Sequence, residues 1–274
     1  MARVLIISSF VAASRVGGGA QALALARLGI EPILVPTVLL GRHPGHGAPG
    51  GGPVPPEIFA GVLDGIEAHG ALAGLDAVLA GHFSTPEQVA IATDCVMRVK
   101  SAAPAARIIV DPIMGDEDKG LYVDQAVAEA IAVSLVPCAD IVAPNAWELA
   151  RLTGLPVSGL KEALAAAHAL GRPTLVSSVR VGDELGVVFA QGPQAWIARH
   201  ARVPAAPRGT GDLLAAVFAS GLIQLGNPLE ALAVAVGATA EAVRIAAGAE
   251  ELPLAALPTS LAPAAGVTVE ALDG

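Results

Sequence analysis

Short runs of branched apolar residues, each stopped at once by polar or small residues, recur along this chain. Val4–Ile7, Ile33–Leu40, Ala77–Ala80, Arg107–Val110, Ile141–Ala143 and Thr174–Ser178 all have this form. Such runs suit strands buried on both faces of a sheet. Between them lie segments with helical stop and start signals. Ala20–Leu28 ends at Gly29, Ala146–Leu152 at Gly154 and Leu160–Leu170 at Gly171, each glycine free to take the left-handed turn that closes a helix. Ile58–His69 and Ala126–Val133 also read as helices. Thr85-Pro86-Glu87-Gln88 opens another, with threonine as N-cap and proline in the first turn, running to about Ser101. Strands alternating with helices predict a mostly parallel sheet covered by helices on both faces. Leu185–Ala190 and Ala195–Arg199 predict one antiparallel pair across Gln191-Gly192-Pro193. No linker or internal repeat divides the 274 residues, so one α/β domain over 1–274 is expected. Residues 248–274, rich in Pro and Ala, carry no assigned element.

One stretch stands apart from this regular pattern: Arg208-Gly209-Thr210-Gly211-Asp212, followed by an apolar run from Leu213. The glycines allow a tight turn and a close backbone approach to a ligand. The free amides at the start of the following helix, with the helix dipole, make an anion site. A carboxylate beside an anion site is repulsive unless it has a task. One task is helix capping. Another is to accept a proton from a hydroxyl that attacks a phosphate. A second helix, Leu229–Ala247, follows.

Other candidates sit where strands end, the usual position of ligand sites in open α/β sheets. Ser8 and Ser9 follow the first strand, and Ser9 is either a ligand contact or a loop serine serving local backbone. Gly81-His82 follows Ala77–Ala80. Asp111-Pro112-Ile113-Met114-Gly115-Asp116 follows Arg107–Val110, and its two acids suit magnesium or an acidic turn. Asn145 is a good N-cap, and Glu148 stands at the capping-box position, where it could alternatively face a metal-bound phosphate. Gly41 to Pro56 holds six glycines and five prolines in sixteen residues. Such a segment is not expected to pack as an element, and reads as a disordered loop or as a flap over a site. His43 and His46 lie in it. Val16-Gly17-Gly18-Gly19 leads into the first helix, but no acidic residue follows at the place a dinucleotide fingerprint requires.

The formal net charge is −9 with no basic cluster, which argues against a nucleic-acid partner. No uncharged apolar run reaches the ~18 residues of a membrane span. The nearest, Leu213 to Leu229, is interrupted by Gln224, Gly226, Asn227 and Pro228. Val4–Ile7 after a single arginine resembles a weak signal peptide, but Ser8 and Ser9 break it early, so a strand is expected. Cys95 and Cys138 stand apart in apolar contexts and read as buried thiols, in keeping with a reducing cytoplasm.

Four segments then stand in one order: Ser8-Ser9-Phe10-Val11, Asp111-Pro112-Ile113-Met114-Gly115-Asp116, Ala143-Pro144-Asn145-Ala146-Trp147-Glu148-Leu149 and Gly209-Thr210-Gly211-Asp212. Together they resemble pyridoxal kinases of the ribokinase-like superfamily, over about residues 3 to 245. Pro36–Leu40, the Arg42–Gly47 segment and Gly120-Leu121-Tyr122-Val123 extend the resemblance. It implies a three-layer α/β/α kinase that transfers the ATP γ-phosphate to the 5′-hydroxyl of pyridoxal. It implies Asp212 as catalytic base and Gly209, Thr210 and Gly211 as the anion hole. Ser9, Val16, His43, Pro44, Gly45, His46 and His82 would contact the acceptor. Asp111, Tyr122, Ala143, Asn145, Glu148, Ser177, Ser178 and Arg208 would hold ATP, with Asp111, Asp116 and Glu148 handling Mg²⁺. A monovalent cation and a cytoplasmic homodimer are compatible with the same resemblance. The chain departs from the family at Gly18, Gly41-Arg42, Phe10 and His82, all on the acceptor side. A hydroxymethylpyrimidine or sugar kinase, or a regulatory pyridoxal binder without turnover, are the alternatives. An intact Asp212 argues against the binder, which needs no base.

Overall fold

The first strand shows how the sheet is buried. Val4 and Ile6 point into one apolar cluster and Leu5 and Ile7 into another, all four fully enclosed. A strand that alternates between two cores must lie in the middle of a sheet with helices on both sides. The computed structural model describes residues 1–203, 206–257, 259–261 and 267–272. In chain order the first half comprises β1 (Arg3–Val11), α1 (Gly17–Arg27), β2 (Glu31–Leu40), β3 (Gly51–Pro53), α2 (Pro56–Ala68), β4 (Ala77–Ala80), α3 (Pro86–Ala102), β5 (Arg107–Val110), β6 (Gly115–Asp116), β7 (Gly120–Leu121) and α4 (Gln125–Ala130). The second comprises β8 (Ile141–Val142), α5 (Ala146–Thr153), α6 (Leu160–Leu170), β9 (Thr174–Val181), β10 (Glu184–Gln191), β11 (Gln194–Ala201), α7 (Thr210–Leu225), α8 (Pro228–Ala246) and β12 (Val269–Leu272).

Ten strands form one sheet in the order β12-β11-β10-β9-β8-β5-β4-β1-β2-β3, and β6 and β7 form a separate hairpin. The six strands from β9 to β2 run parallel; β10, β11 and β12 at one edge and β3 at the other are antiparallel. Helices α1, α7 and α8 cover one face, and α2, α3 and α4 the other. Helices α5 and α6 pack on β9, β10 and β11 in a third cluster built on Leu149, Ala166, Val176 and Ile197. After β1 the chain goes to β2 on one side and later to β4 on the other. The gap between β1 and β4 is therefore a topological switch point, where the carboxyl ends of strands leave room for a ligand.

Several expectations are corrected. The first strand does not stop at Ile7: it runs to Val11, with a register shift between Ser8 and Phe10, so both serines are strand residues. The glycines at 17–19 are the first turn of α1 and not a lead into it. The Gly41–Pro56 segment does pack. Leu39 pairs with Gly52, and Pro44–His46 forms a short 3₁₀ turn. The unassigned tail adds β12, paired with β11, and a 3₁₀ turn at Leu254–Ala256; its residues 258, 262–266 and 273–274 lie outside the described ones. Cys95 is buried, and burial pushes its thiol up to about 11, whereas Cys138 is only half-buried. No described helix is long and apolar enough to cross a membrane.

Candidate active site

Helix α7 starts where its sequence requires a glycine. Gly209, its N-cap, has φ 86°, and a Cβ there would stand 2.2 Å from the Arg15 carbonyl oxygen. That close approach packs the 12–16 loop against the helix start. The first amides of α7, at Thr210, Gly211 and Asp212, have no carbonyl partner within the helix, and these residues line the cavity, an arrangement that suits an anion. The Asp212 side chain does not cap its own helix. Its Oδ2 accepts from the Gly17 amide at 2.8 Å, at the start of the neighbouring α1, and its Oδ1 is sealed from solvent with no partner. Burial pushes its carboxyl up to about 6, against the opposing pull of the Gly17 N–H. Gly17 has φ 59°, and a Cβ on it would meet Ser9 Oγ at 2.0 Å. Ser9, Gly17 and Asp212 therefore form one continuous contact.

A cavity of about 540 Å³ opens from Asp212 toward the antiparallel edge. Asp111 and Glu148 line it with Asp212, and burial, then the two neighbouring carboxylates, hold the Asp111 carboxyl well above the usual carboxylate range. Burial pushes Glu148 up to about 7 although three backbone amides oppose the shift. Its Oε1 accepts from Met114 N at 2.8 Å and Gly115 N at 3.2 Å, and its Oε2 from Asn145 N at 2.9 Å. Asn145 Oδ1 in turn accepts from Glu148 N at 2.9 Å, and its Nδ2 donates to Gly115 O at 2.8 Å. The capping box thus also fastens the loop after β5 to the start of α5.

The far wall is apolar: Leu185 and Val187 from β10, and Val236 and Val243 from α8, with Thr239 and His200 as polar edges. Opposite Val187 the β9 strand bulges at Ser177–Ser178, because Gly186 pairs with Val179 while Val188 pairs with Val176. Ser178 takes φ 61°, one of two non-glycine residues with positive φ among the described residues. Tyr122 lines the cavity and donates its hydroxyl to Asp116, while burial and that carboxylate push its pKa upward. No described group of three His, Cys, Asp or Glu residues is arranged to hold a metal by itself.

The Pro44–His46 turn of the expected flap segment lies against Arg208, four residues before Asp212. His43 Nδ1 accepts from Gly45 N at 3.0 Å and caps the 3₁₀ turn. Burial first, and the Arg208 charge second, lower the His43 pKa. His46 Nε2 lies 2.9 Å from the Arg208 guanidinium, and its Nδ1 lies 3.3 Å from Glu250. His82 sits beyond β4, at the switch point. Its N–H donates to Ser8 Oγ at 3.4 Å and its carbonyl accepts from Thr37 Oγ1 at 2.7 Å. Its Nδ1 is buried without a partner, and burial lowers its pKa to about 4, so the ring is neutral at physiological pH.

The profile of the phosphomethylpyrimidine kinase family matches residues 50–255. A pyridoxine/pyridoxal/pyridoxamine kinase of Bordetella avium is 38% identical over 228 residues, covering 80% of this chain and 77% of that one. A pyridoxal kinase of Deinococcus radiodurans is 37% identical over 249 residues, 86% of this chain and 84% of the relative. The chain belongs to the pyridoxal kinase family. Among solved structures, the pyridoxal kinase from Leishmania donovani in complex with ADP and pyridoxine superposes with a TM-score of 0.90 at 25% identity. It covers 98% of this chain and 99% of its own. The three-layer, ribokinase-like α/β/α fold expected from the motif order is the fold observed.

Within this pyridoxal kinase family member, the residues named from sequence divide into three groups. Asp111, Tyr122, Ala143, Asn145, Glu148, Ser177, Ser178 and Gly209 to Asp212 line the one cavity. Ser9 and Val16 flank Gly17 beside Asp212, while His43, Pro44, Gly45 and His46 form the flap turn. Arg208 and Asp116 fall outside the cavity lining: Arg208 turns toward the flap, and Asp116 is taken up by Tyr122 and the Lys119 amide. Sequence reading missed the apolar wall at Leu185, Val187, Val236 and Val243 and its polar edges at Thr239 and His200. Its only trace is the alternation of β10 and one stripe of an alanine-rich helix, which looks like ordinary core.

Proposed function

We propose that this protein is a vitamin B6 kinase that transfers the γ-phosphate of ATP to the 5′-hydroxyl of pyridoxal. The carrying observation is Asp212. One of its oxygens is fixed by Gly17 N and the other is buried and unused, at the mouth of a turn of free amides. A carboxyl raised to about 6 is still ionised at neutral pH and basic enough to take the hydroxyl proton as phosphoryl transfer begins. The amides of Thr210, Gly211 and Asp212 would receive the moving phosphoryl group, and placing base and acceptor together supplies the proximity term. The adenine would lie against the Val187 and Val236 wall, with its phosphates toward Asp111. The acceptor ring would occupy the switch point between Ser9 and His82 under the flap.

Mg²⁺ fits the charge pattern, since the Glu148 and Asp212 carboxylates both raise the cost of ionising Asp111 in one cavity. Asp111 would hold the ion, through water and ATP phosphates, because the Glu148 oxygens already accept three amides. Bound there, the ion would neutralise phosphate charge. We read the chain as one catalytic domain, because β1 and β12 share a sheet, and as a cytoplasmic enzyme that works as a homodimer without nucleic-acid or membrane partners.

A hydroxymethylpyrimidine acceptor is the second reading, favoured by the matching family profile. The deciding experiment is ATP consumption by the purified protein with pyridoxal, pyridoxine, pyridoxamine, hydroxymethylpyrimidine and a panel of sugars. Turnover with pyridoxal that exceeds the pyrimidine and sugars supports the proposal. Preference for the pyrimidine replaces it, and ATP binding without any turnover returns the protein to the class of pyridoxal binders.

A further inference from the structure

Two glutamates beyond the last helix touch Arg15, His46 and Arg208 without lining the cavity. After α8, Ala247 (φ 49°) and Gly248 (φ 85°) turn the chain back toward the start of α7. Glu250 then accepts from Arg208 Nη1 at 3.3 Å and lies 3.3 Å from His46 Nδ1. Its carbonyl oxygen accepts from Arg208 N at 3.2 Å. Glu251 accepts from Arg15 N at 2.6 Å and approaches His46 Nε2 at 3.8 Å. The Arg208 guanidinium lies over Gly45, where a Cβ would meet Nη2 at 2.9 Å. A neutral His46 with its proton on Nδ1 satisfies these contacts, donating to Glu250 and accepting from Arg208. The charged neighbours are then Arg208, Glu250 and Glu251, with Arg42 and Lys119 farther out near His43 and Gly47.

The connectivity gives this cluster its consequence. Arg208 is bonded to Gly209, the N-cap of the helix that carries Asp212. Arg15 lies two residues before Gly17, whose amide holds Asp212 Oδ2. His46 is the tip of the flap. We infer that Glu250 and Glu251 are a latch that seats the flap and, through the same contacts, fixes both backbone segments that aim the base. Arg208 is then a positioning residue and not a phosphate ligand. The inference rests on the proposed reading that the flap covers the acceptor. Single exposed ion pairs contribute little. Here the side chains of His46, Arg208 and Glu251 are only 31%, 31% and 34% exposed, against 69% for Glu250, and all four share partners, so their contacts reinforce one another.

The test uses Arg42, a tryptic site at the root of the flap. The near-isosteric Glu250→Gln/Glu251→Gln double variant keeps every tryptic site, and Arg208→Ala and Arg208→Lys complete the set. In ligand-free protein, trypsin should cut after Arg42 about three- to tenfold faster in the double variant and in Arg208→Ala, the range that one or two lost pairs carry. The KM for pyridoxal should rise by a similar factor while the KM for ATP stays within about twofold, and Arg208→Lys should recover part of the loss. An unchanged cleavage rate overturns the latch. An ATP KM that rises as much as the pyridoxal KM overturns it too, and makes Arg208 a phosphate ligand. Should the double variant fold poorly, Glu250→Gln alone gives the same readouts. The proteolysis arm needs no turnover, so a parent that does not phosphorylate pyridoxal refutes the kinase reading and leaves the latch separately tested.

Discussion

The two sides of Asp212 are built from different materials. Toward the proposed nucleotide end, geometry is held by buried and half-buried bonds between side chains and backbone: the Glu148 carboxylate ties three amides, Asn145 ties Gly115, and a bulge in β9 presents Ser178. On the proposed acceptor side, a turn of three residues is held by side chains that are partly in water, His43, His46 and Arg208 with Glu250 and Glu251. Buried bonds within a packed frame open only with large parts of the fold, whereas solvated side-chain contacts exchange locally. One side suits a ligand that always has the same shape, the other a cover that must open for each acceptor. Substitutions on the first side should therefore affect stability and ATP together. Those on the second should affect the acceptor alone.

The largest effect belongs to the junction itself. Asp212→Asn should lower kcat about 10²–10⁴-fold, the usual cost of a lost general base, with ATP binding nearly intact. In the parent, turnover should fall as pH drops through about 6, because the base must be ionised. Stability runs the other way. A carboxyl raised by burial contributes stability below the ordinary carboxylate pKa, and that contribution is lost as pH rises through about 6. Asp212→Asn should thus melt above the parent at pH 8, with the gap closing near pH 4. Melting curves and steady-state rates at three pH values check both slopes. A variant within a few-fold of the parent's kcat would reduce Asp212 to an α1–α7 tie.

The second effect separates strain from function at the two ends of α7. Gly209 and Gly226 both have positive φ, 86° and 67°. Only Gly209 faces an obstacle, Arg15 O at 2.2 Å, while nothing lies within 4 Å of a Cβ on Gly226. Both Gly→Ala variants should lose roughly 1–3 kcal/mol of stability. Gly209→Ala alone should also lose about 10²-fold in kcat, since moving the helix start displaces the anion donors. Equal kinetic losses in both variants would remove the anion-hole role.

Much of this was legible before any coordinates, and the exceptions have physical causes. The Thr85 cap, the Asn145–Glu148 box and the stops at Gly154 and Gly171 are local, set by bonds within four residues, and all are found. β3 was not legible, because Gly51 to Pro53 have no strand propensity and are placed by pairing to Val38–Leu40. β12 likewise depends on the exposed edge of β11. Arg208 reads as a phosphate cation beside a glycine motif. Only the tertiary contact with residues more than forty positions later turns it toward the flap. The glycine and acidic motifs are contiguous and survive in sequence; the apolar cavity wall and the contacts around His46 are assembled from distant segments.

A third, smaller effect concerns the acids. Glu148→Ala leaves the Met114, Gly115 and Asn145 amides without their acceptor and should cost about 1–3 kcal/mol, with a several-fold higher KM for ATP. For Mg²⁺, Asp111→Asn should raise the half-saturating concentration more than Asp116→Asn, whose carboxylate serves Tyr122 and Lys119. Metal titrations at fixed ATP rank the two. The reverse order would place the ion at the β6–β7 hairpin and leave Asp111 structural.

The smallest effect compares two strained residues. Ser178 in β9 and Ala247 after α8 are non-glycine residues at φ 61° and 49°. Left-handed backbone costs an L residue about 1–2 kcal/mol, and a glycine there gives back part of the relief as extra entropy in the unfolded chain. Ser178→Gly and Ala247→Gly should therefore each stabilise by no more than about 1 kcal/mol, read by denaturant melts. Their kinetics should differ. Ser178 lines the cavity, so losing its hydroxyl and loosening the bulge should raise the KM for ATP a few-fold and leave pyridoxal alone. Ala247 leads to Glu250 and Glu251, so extra freedom there should loosen the flap, speed tryptic cleavage after Arg42 slightly and shift only the pyridoxal KM. If each variant moves both KM values equally, the two sides are one mechanical unit and the division between a buried, tightly bonded nucleotide end and a partly solvated flap fails.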